Sequence, residues 1–470
     1  MYNKELQQNS QVQKKPELTK STKNKFNIPS KKLPNDLSRK VIPPLWKKII
    51  NSIENRDLDT LLYTLETIYK QKDVFRLPHP FIKNLETFAS KSVRKGMCNF
   101  IFFYDSKGQN KWILCQCTSF VDAIISTTYS GKHNSSVAND TILGSLRKIM
   151  REEVGNSSNH LPQKAKFAGY LLDQTRPYHH FYDQLKWFIY LQDNKPILSE
   201  KSFFCPKNLS KKSSTKNNSI TNVSVFPTII GSNQLGMKLD KYTEKMERIV
   251  QKDSLEKLPT RIWKKIKKYI RSLTRKKTLT LWFGISGQKR IWVEQKDFLP
   301  AFVEQLSPWY SSFAFIIDGF TEYEDSNQAP LRGSKATPVS QDLEVINSIR
   351  EKLACYSNVS VESVVGQTYR EKIQKCQSAD FFIANAGAGQ LVPHRFCRKS
   401  GILHSNEKHC VFPTGINNTS VQLVDKSLVK DVGNLFAKSE QNRQAGAGLI
   451  SYSINIQNVI DLAIQMLKLN

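Results

Sequence analysis

A chain of 470 residues with 39% hydrophobic content is long enough for two or three domains with real cores. No run of eighteen apolar residues occurs, so nothing reads as a transmembrane helix, and Met1-Tyr2-Asn3-Lys4-Glu5 lacks the apolar stretch of a secretory signal. Net charge is +29, and the eight scattered cysteines show no C-x-x-C spacing, so they read as reduced thiols filling cores and not as a zinc or redox motif.

The positive charge concentrates in the first fifty residues, in Lys201 to Lys216 and in Arg261 to Lys277. Runs of this kind bind nucleic acid, anionic headgroups or phosphorylated substrates, or are simply solvated surface. Residues 1–41 are polar and aperiodic and are expected to carry no fixed structure. After Pro43-Pro44, apolar residues at spacings of three and four (Leu45, Ile49, Ile50, Ile53, then Leu58, Leu61, Leu62, Leu65, Ile68) predict two amphipathic helices. A further helix is predicted from Pro80 to Val93. Asn99–Tyr104 and Trp112–Cys117, separated by Asp105-Ser106-Lys107-Gly108, predict a β-hairpin. A helix bearing Ile142, Leu146, Ile149 and Met150 follows.

An apolar strand ending near Leu172 hands over to a helix opened by Pro177. That helix carries His179 and His180, with Asp183 one turn beyond His179. The handover from strand to helix is the edge where ligands bind in open α/β sheets, although a histidine there can also be satisfied by nearby carbonyls. Ile197-Leu198 and Val223–Phe226 predict short strands. Leu258 to Leu273 predicts a cationic amphipathic helix connecting two halves, a form that also suits an anionic membrane surface.

From Leu279 onward, strands alternate with ten-residue helices, which means a parallel, doubly wound sheet. The strands are Leu279–Ile285, Ser312–Ile317, Val359–Val365, Phe381–Ala384 and Gly401–His404. The helices are Lys296–Leu306, Leu343–Leu353, Thr368–Cys376 and one opening near Gln390 with Pro393 in its first turn. Between the Phe381 strand and that helix lies Asn385-Ala386-Gly387-Ala388-Gly389. Glycine admits a phosphate close to the main chain, and free amides at a helix start favour negative charge.

Leu281 to Trp292, with its basic Lys289-Arg290, the Asp380–Gly389 turn followed by Gly401–Asn406, and Arg176-Pro177-Tyr178-His179-His180 occur in an order that resembles the GT-B glycosyltransferases. The likeness spans residues 165–425. It implies an α/β protein of two Rossmann-like domains facing a cleft, with an N-terminal helical or disordered extension. The implied division is a tail at 1–41, an acceptor-side domain with leading helices at 42–257, a basic connector at 258–277 and a donor domain at 278–470. It implies transfer of a sugar from a nucleotide-sugar donor to a glycan or lipid-linked acceptor in surface polysaccharide biosynthesis, without metal or cofactor. The location implied is cytoplasmic, peripheral on an anionic membrane. No acidic E-x-x-x-x-x-x-E motif follows Gly389, which departs from many members of that family.

Such a reaction needs a site for the departing diphosphate, and Arg290 with the turn Gly387, Ala388, Gly389 and Gln390 is the expected one. Lys289 could share that role. His179 or His180 is the expected general base, with Asp183 orienting His179 or acting itself. Gly284, Asp318 and His404 are further cleft candidates. The D-x-D of a metal-dependent transferase occurs only as Asp57-Leu58-Asp59, inside a helical segment. A basic nucleic-acid-binding protein and a non-catalytic nucleotide- or phosphate-binding α/β protein are the alternatives. The first of these is disfavoured because the aromatics lie mostly in apolar strand runs.

Overall fold

A computed structural model describes residues 33–70, 74–95, 98–117, 119–127, 129–132, 139–153, 163–167, 170–171, 177–199, 202–203, 224–225, 239–255, 278–322, 338–410, 420–435 and 449–469. The expected basic connector helix at Leu258–Leu273 and the basic run at Lys201 to Lys216 lie outside these residues, apart from Ser202 and Phe203. The chain forms two compact units, residues 1–170 with 212–228 and residues 171–211 with 229–470.

The first unit begins with α1 (Leu37–Lys40), α2 (Pro44–Glu54) and α3 (Leu58–Tyr69). Leu33, Leu37 and Val41 are buried, so packed structure starts ahead of residue 42, inside the stretch expected to be a tail. Pro44 opens α2, where its missing N–H is no loss. Asp57 caps α3 by accepting from the Thr60 amide, so the Asp57-Leu58-Asp59 motif does helix work.

Strands β1 (Arg76–Pro78), β2 (Glu86–Lys95), β3 (Cys98–Tyr104), β4 (Lys111–Gln116), β5 (Ala123–Ser126) and β6 (Ser130–Lys132) follow. They pair in sequential order, every pair antiparallel. This corrects the expectation of a Rossmann-like first domain. The links between these strands are too short for the crossover of a dozen or more residues that parallel pairing demands. The helix expected over Pro80 to Val93 is instead a turn and β2, whose Phe88 to Lys95 pair along β3. Cross-strand pairing overrides the helical reading there. The expected hairpin is β3–β4, with Trp112 stacked on Phe103 at 4.1 Å and Trp46 edge-on to Trp112 at 5.4 Å. Helix α4 (Asn139–Glu153) lays Ile142, Leu146 and Ile149 into a core with Phe100, Phe102 and Ile113.

The second unit carries the parallel sheet. Its strands are β7 (Thr278–Gly284), β8 (Ser312–Asp318), β9 (Val359–Ser363), β10 (Phe381–Asn385), β11 (Ser400–His404) and β12 (Val421–Leu423). They are ordered β9-β8-β7-β10-β11-β12 and all pairs are parallel. Counted from β7, that is the 3-2-1-4-5-6 order of a doubly wound Rossmann sheet, as the alternating pattern predicts. Near-continuous burial along β7 and β10 is what a strand covered on both faces requires. The crossovers run through α7 (Gln295–Leu306), α8 (Pro338–Leu353) and α9 (Tyr369–Cys376), the last opened by a Thr368/Glu371 capping box. A hairpin of β13 (Lys430–Gly433) and β14 (Ser451–Ser453) precedes the final helix α10 (Ile456–Leu467).

The segment after Leu171 belongs to this unit. Pro177 opens a helix whose π-helical turn His179–Leu185 continues as α5 (Lys186–Asn194). It packs on α6 (Lys241–Leu255), α9 and the helix following β10, with Phe181 against Tyr369 and Phe396. Ile197-Leu198, expected as strand, lie in a short helix Pro196–Ser199 begun by its proline.

The sheet is tight where β10 and β11 meet. A Cβ on Gly401 would stand 2.2 Å from the Phe382 carbonyl oxygen, backbone that cannot step aside. Gly401→Ala should lower stability by about 1–3 kcal/mol, read from a thermal melt. An unchanged melting temperature would show that these strands separate more easily than drawn.

Candidate anion site at the strand-order switch

In a sheet of this order the crossovers leave β7 and β10 in opposite directions, opening a crevice beyond their carboxyl ends. β7 stops at Gly284, whose added Cβ would meet the Ala384 Cα at 3.1 Å, so the two strands approach closely there. The loop beyond is tied down on both sides. Gln295, opening α7, accepts from the Ser286 amide and donates to the Ser286 carbonyl, both at 3.0 Å. The Gly287 amide donates to Asp342 of α8 at 2.6 Å, and a Cβ on Gly287 would clash with the α8 backbone at 2.7 Å.

This bracing delivers Arg290 in the left-handed region, φ 51°, where a non-glycine residue carries strain. Its guanidinium lies on the main chain at Gly387. A Cβ there would be 3.1 and 3.2 Å from the two terminal nitrogens, and Gly387 has φ 101°. The backbone angle demands glycine, and a side chain there would also push the guanidinium away. NH1 donates to the Ala386 carbonyl at 3.4 Å, a long bond. Among the described residues no carboxylate forms an ion pair with Arg290. Burial pulls its pKa down from the usual arginine value, with Tyr452 acting in the opposite direction. A guanidinium remains charged under such a shift, so the switch point holds a partly desolvated cation with no carboxylate partner among the described residues.

Behind it stands a polar frame. Asn385, closing β10, donates to the Arg290 carbonyl at 3.1 Å and to the Tyr452 hydroxyl at 2.9 Å. That hydroxyl bonds His404 Nδ1 at 2.8 Å, and Trp292 tilts over the same imidazole with centroids 4.9 Å apart. The hairpin strand β14 anchors the segment after Arg290, with the Tyr452 amide donating to the Ile291 carbonyl and the Val293 amide to the Tyr452 carbonyl.

The sequence candidates fare unevenly. Arg290 and Gly387 come together. Ala388 is exposed and Gly389 half-buried, and a Cβ on Gly389 meets only ordinary contact at 3.6 Å. The helix they open is a 3-10 turn Ala388–Gln390 running into a π-helical turn Leu391–Phe396. So short a helix adds little dipole, and the site's positive charge resides on Arg290. Gln390 is buried, its Oε1 bonded to His394 Nδ1 at 3.1 Å. Lys289 is exposed, and its carbonyl accepts from Ser286 Oγ.

Two cleft candidates lie inside the protein. His404 is 1% exposed, and burial lowers its pKa to about 3, so it stays neutral. Asp318 is 5% exposed and salt-bridged to Lys372 Nζ at 2.6 Å. Each ends a strand, as expected, but is covered by neighbours distant in sequence.

His179 and Asp183 do pair, Nδ1 to Oδ2 at 2.5 Å, with His179 partly exposed. Because the carboxylate only accepts, Nδ1 carries a proton and donates it to Asp183. His180 packs edge-on against Phe181. No hydrogen bond or ion pair links His179 or Asp183 to Arg290. Sequence reading misses Asn385, Asn406, His409 and Tyr452. The 3-2-1-4-5-6 order, which sets β10 beside β7 and β11 beside β10, could have pointed to Asn385, Asn406 and His409, while Tyr452 lies on β14 outside that sheet.

The fold and site define a Rossmann-type α/β unit with an arginine at its strand switch. No family model matches the sequence, and no curated protein does. Among solved structures, the chain is similar to E. coli ADP-heptose lps heptosyltransferase II at 11% identity and a TM-score of 0.26, covering 45% of this chain and 53% of that one. It is also similar to Methanocaldococcus jannaschii UDP-GlcNAc 2-epimerase, in complex with UDP-GlcNAc and UDP, at 12% identity and a TM-score of 0.24, covering 50% and 53%. The chain thus spans about half the length of each. These likenesses are shallow, and the functional reading rests on the chain's own residues. Among the described residues no helix is long and apolar enough to cross a membrane.

Proposed function

We propose that Arg290 and the Gly387 turn bind the diphosphate of a nucleotide sugar, and that the protein is a metal-independent glycosyltransferase. The observation carrying this reading is a guanidinium with no ion-pair partner among the described residues, laid on the main chain of Gly387 at the switch point. An unpaired, partly buried cation is unfavourable in the free protein and is offset by an anion that displaces its remaining water. As the glycosidic bond to the donor breaks, negative charge grows on the leaving diphosphate, and a fixed guanidinium stabilises it without reorganising. His179 takes the proton of the acceptor hydroxyl at Nε2, while Asp183 holds Nδ1–H and stabilises the imidazolium that forms. The acceptor in this reading is a glycan or lipid-linked chain of a surface polysaccharide, met at the cytoplasmic face of an anionic membrane.

The test is a thermal-shift panel of nucleoside diphosphates and their sugars, followed by donor hydrolysis and transfer assays. One nucleotide should raise the melting temperature. His179→Ala should keep that shift while lowering turnover by about 10²–10⁴. Stabilisation without turnover on any sugar would leave a nucleotide-binding protein in place of a transferase. No stabilisation by any member would end the proposal.

A further inference from the structure

His409 follows β11 on a turn in which its amide donates to the Asn406 carbonyl at 3.0 Å. The Asn406 side chain fixes the imidazole as well. Its Nδ2 donates to the Ile450 carbonyl at 2.9 Å, which leaves Oδ1 facing His409. Oδ1 accepts from the His409 amide at 3.1 Å and bonds the ring Nδ1 at 2.9 Å. An amide oxygen cannot donate, so Nδ1 carries a proton, and in the neutral ring Nε2 is the basic nitrogen. The ring is half-buried and not sealed in, unlike that of His404.

The charged groups acting on this ring come from three places. Arg290 belongs to the loop after β7, Lys408 to the same turn, and Asp431 to β13, where it also accepts from the Glu407 amide. Burial, then Arg290, then Lys408 lower the His409 pKa, and the pull of Asp431 in the other direction does not reverse them. Geometry puts the ring beside the loop after β7: Asn406, which orients it, is tied to Ile450, and the next residue, Ser451, accepts from the amide of Ile291, the neighbour of Arg290, at 3.2 Å. A diphosphate docking there brings two or more negative charges, cancels the repulsion from Arg290 and replaces it with attraction. Both changes favour the imidazolium.

We propose that His409 is the second arm of the anion site: neutral in the free protein, its Nε2 takes a proton from solvent as a diphosphate docks against Arg290, then hydrogen-bonds a phosphate oxygen. The step forms one N–H bond, consumes one proton from water or buffer, and changes no oxidation state. This inference rests on the diphosphate reading and adds to it a residue and a proton. Binding linked to proton uptake is tightest below the free-protein pKa of the ring. It weakens as pH rises toward the bound-state pKa, by at most about tenfold per pH unit.

The experiment is calorimetric titration of the full-length chain with UDP, ADP, GDP and inorganic pyrophosphate, taking the tightest binder forward at pH 7.5 in PIPES and in Tris. The dependence of the apparent enthalpy on buffer ionisation gives the protons absorbed. The wild type should absorb more protons than His409→Gln. The affinity of the variant should be several-fold lower and lose its fall between pH 6 and 8. Comparing the two proteins cancels protons exchanged by the ligand itself. His409→Asn provides the same comparison should the glutamine variant fold poorly. Binding with no difference in proton uptake, or with the same pH dependence of affinity in both proteins, overturns the role of His409 and leaves the diphosphate site standing. No binding of any of the four anions overturns both.

Discussion

Replacing Arg290 with alanine should abolish stabilisation by nucleoside diphosphates and lower turnover by at least about a hundredfold, the usual consequence of deleting one preorganised electrostatic donor. The same change should leave the unliganded melting temperature level or raise it, because Arg290 is partly desolvated, has no carboxylate partner among the described residues and makes one long hydrogen bond. Those two readouts separate a binding residue from a structural one, since a structural arginine would lose stability along with function. Arg290→Gly sharpens the contrast. At φ 51° the left-handed backbone strains an L-residue by roughly 1–2 kcal/mol, and glycine releases that strain while removing the cation. The glycine variant should melt higher than wild type and bind nothing. Arg290→Lys should recover only part of the affinity, because an ammonium cannot reproduce the planar fork now facing Gly387. A destabilised alanine variant that still bound nucleotide would place the anion elsewhere and empty the switch point of function.

What the sequence discloses follows from how locally each feature is specified. The parallel strands are legible because each is a continuous apolar run followed by a helix of the right length, and Gly387 and Arg290 stand out as a glycine turn and a basic strand end. The His179–Asp183 pair is legible because i, i+4 neighbours meet on any helix. The first sheet misleads, since Pro80 to Val93 carries a weak helical pattern that only pairing of β2 with β3 overrides. His404 and Asp318 mislead in another way. Each terminates a strand, but the cover that removes them from solvent comes from Trp292 and Tyr452 for one and Lys372 for the other, far off in sequence. Asn385 and Tyr452 are 67 residues apart and bond only because β14 joins the loop after β7. No spacing rule reaches that far.

Lys372→Met should strongly destabilise the second unit without altering Arg290 or His409. The Lys372 ammonium is 0% exposed and faces four acceptors: Asp318 Oδ1 at 2.6 Å, Thr321 Oγ1 at 2.9 Å, and the carbonyls of Gly319 at 3.0 Å and Phe320 at 3.1 Å. Methionine fills the same volume but donates nothing, stranding a carboxylate that burial already pushes above the usual range despite the pull of Lys372. Breaking a buried pair from one side costs about 3–5 kcal/mol, so the melting temperature should fall by roughly 10 °C in a unit of this size. Lys372→Met combined with Asp318→Asn removes the orphaned charge, and the double variant should be more stable than the sum of the two single losses predicts. Simple additivity would show that the pair is not coupled. The loss should also reach the anion site. Asp342 accepts from the Phe320 amide with one oxygen and the Gly287 amide with the other, both at 2.6 Å, so it joins the loop Lys372 holds to the loop that delivers Arg290. A protein loosened at Phe320 should therefore bind the diphosphate more weakly even at temperatures where it remains folded, although Lys372 itself faces only Asp318 and the Gly319–Thr321 loop.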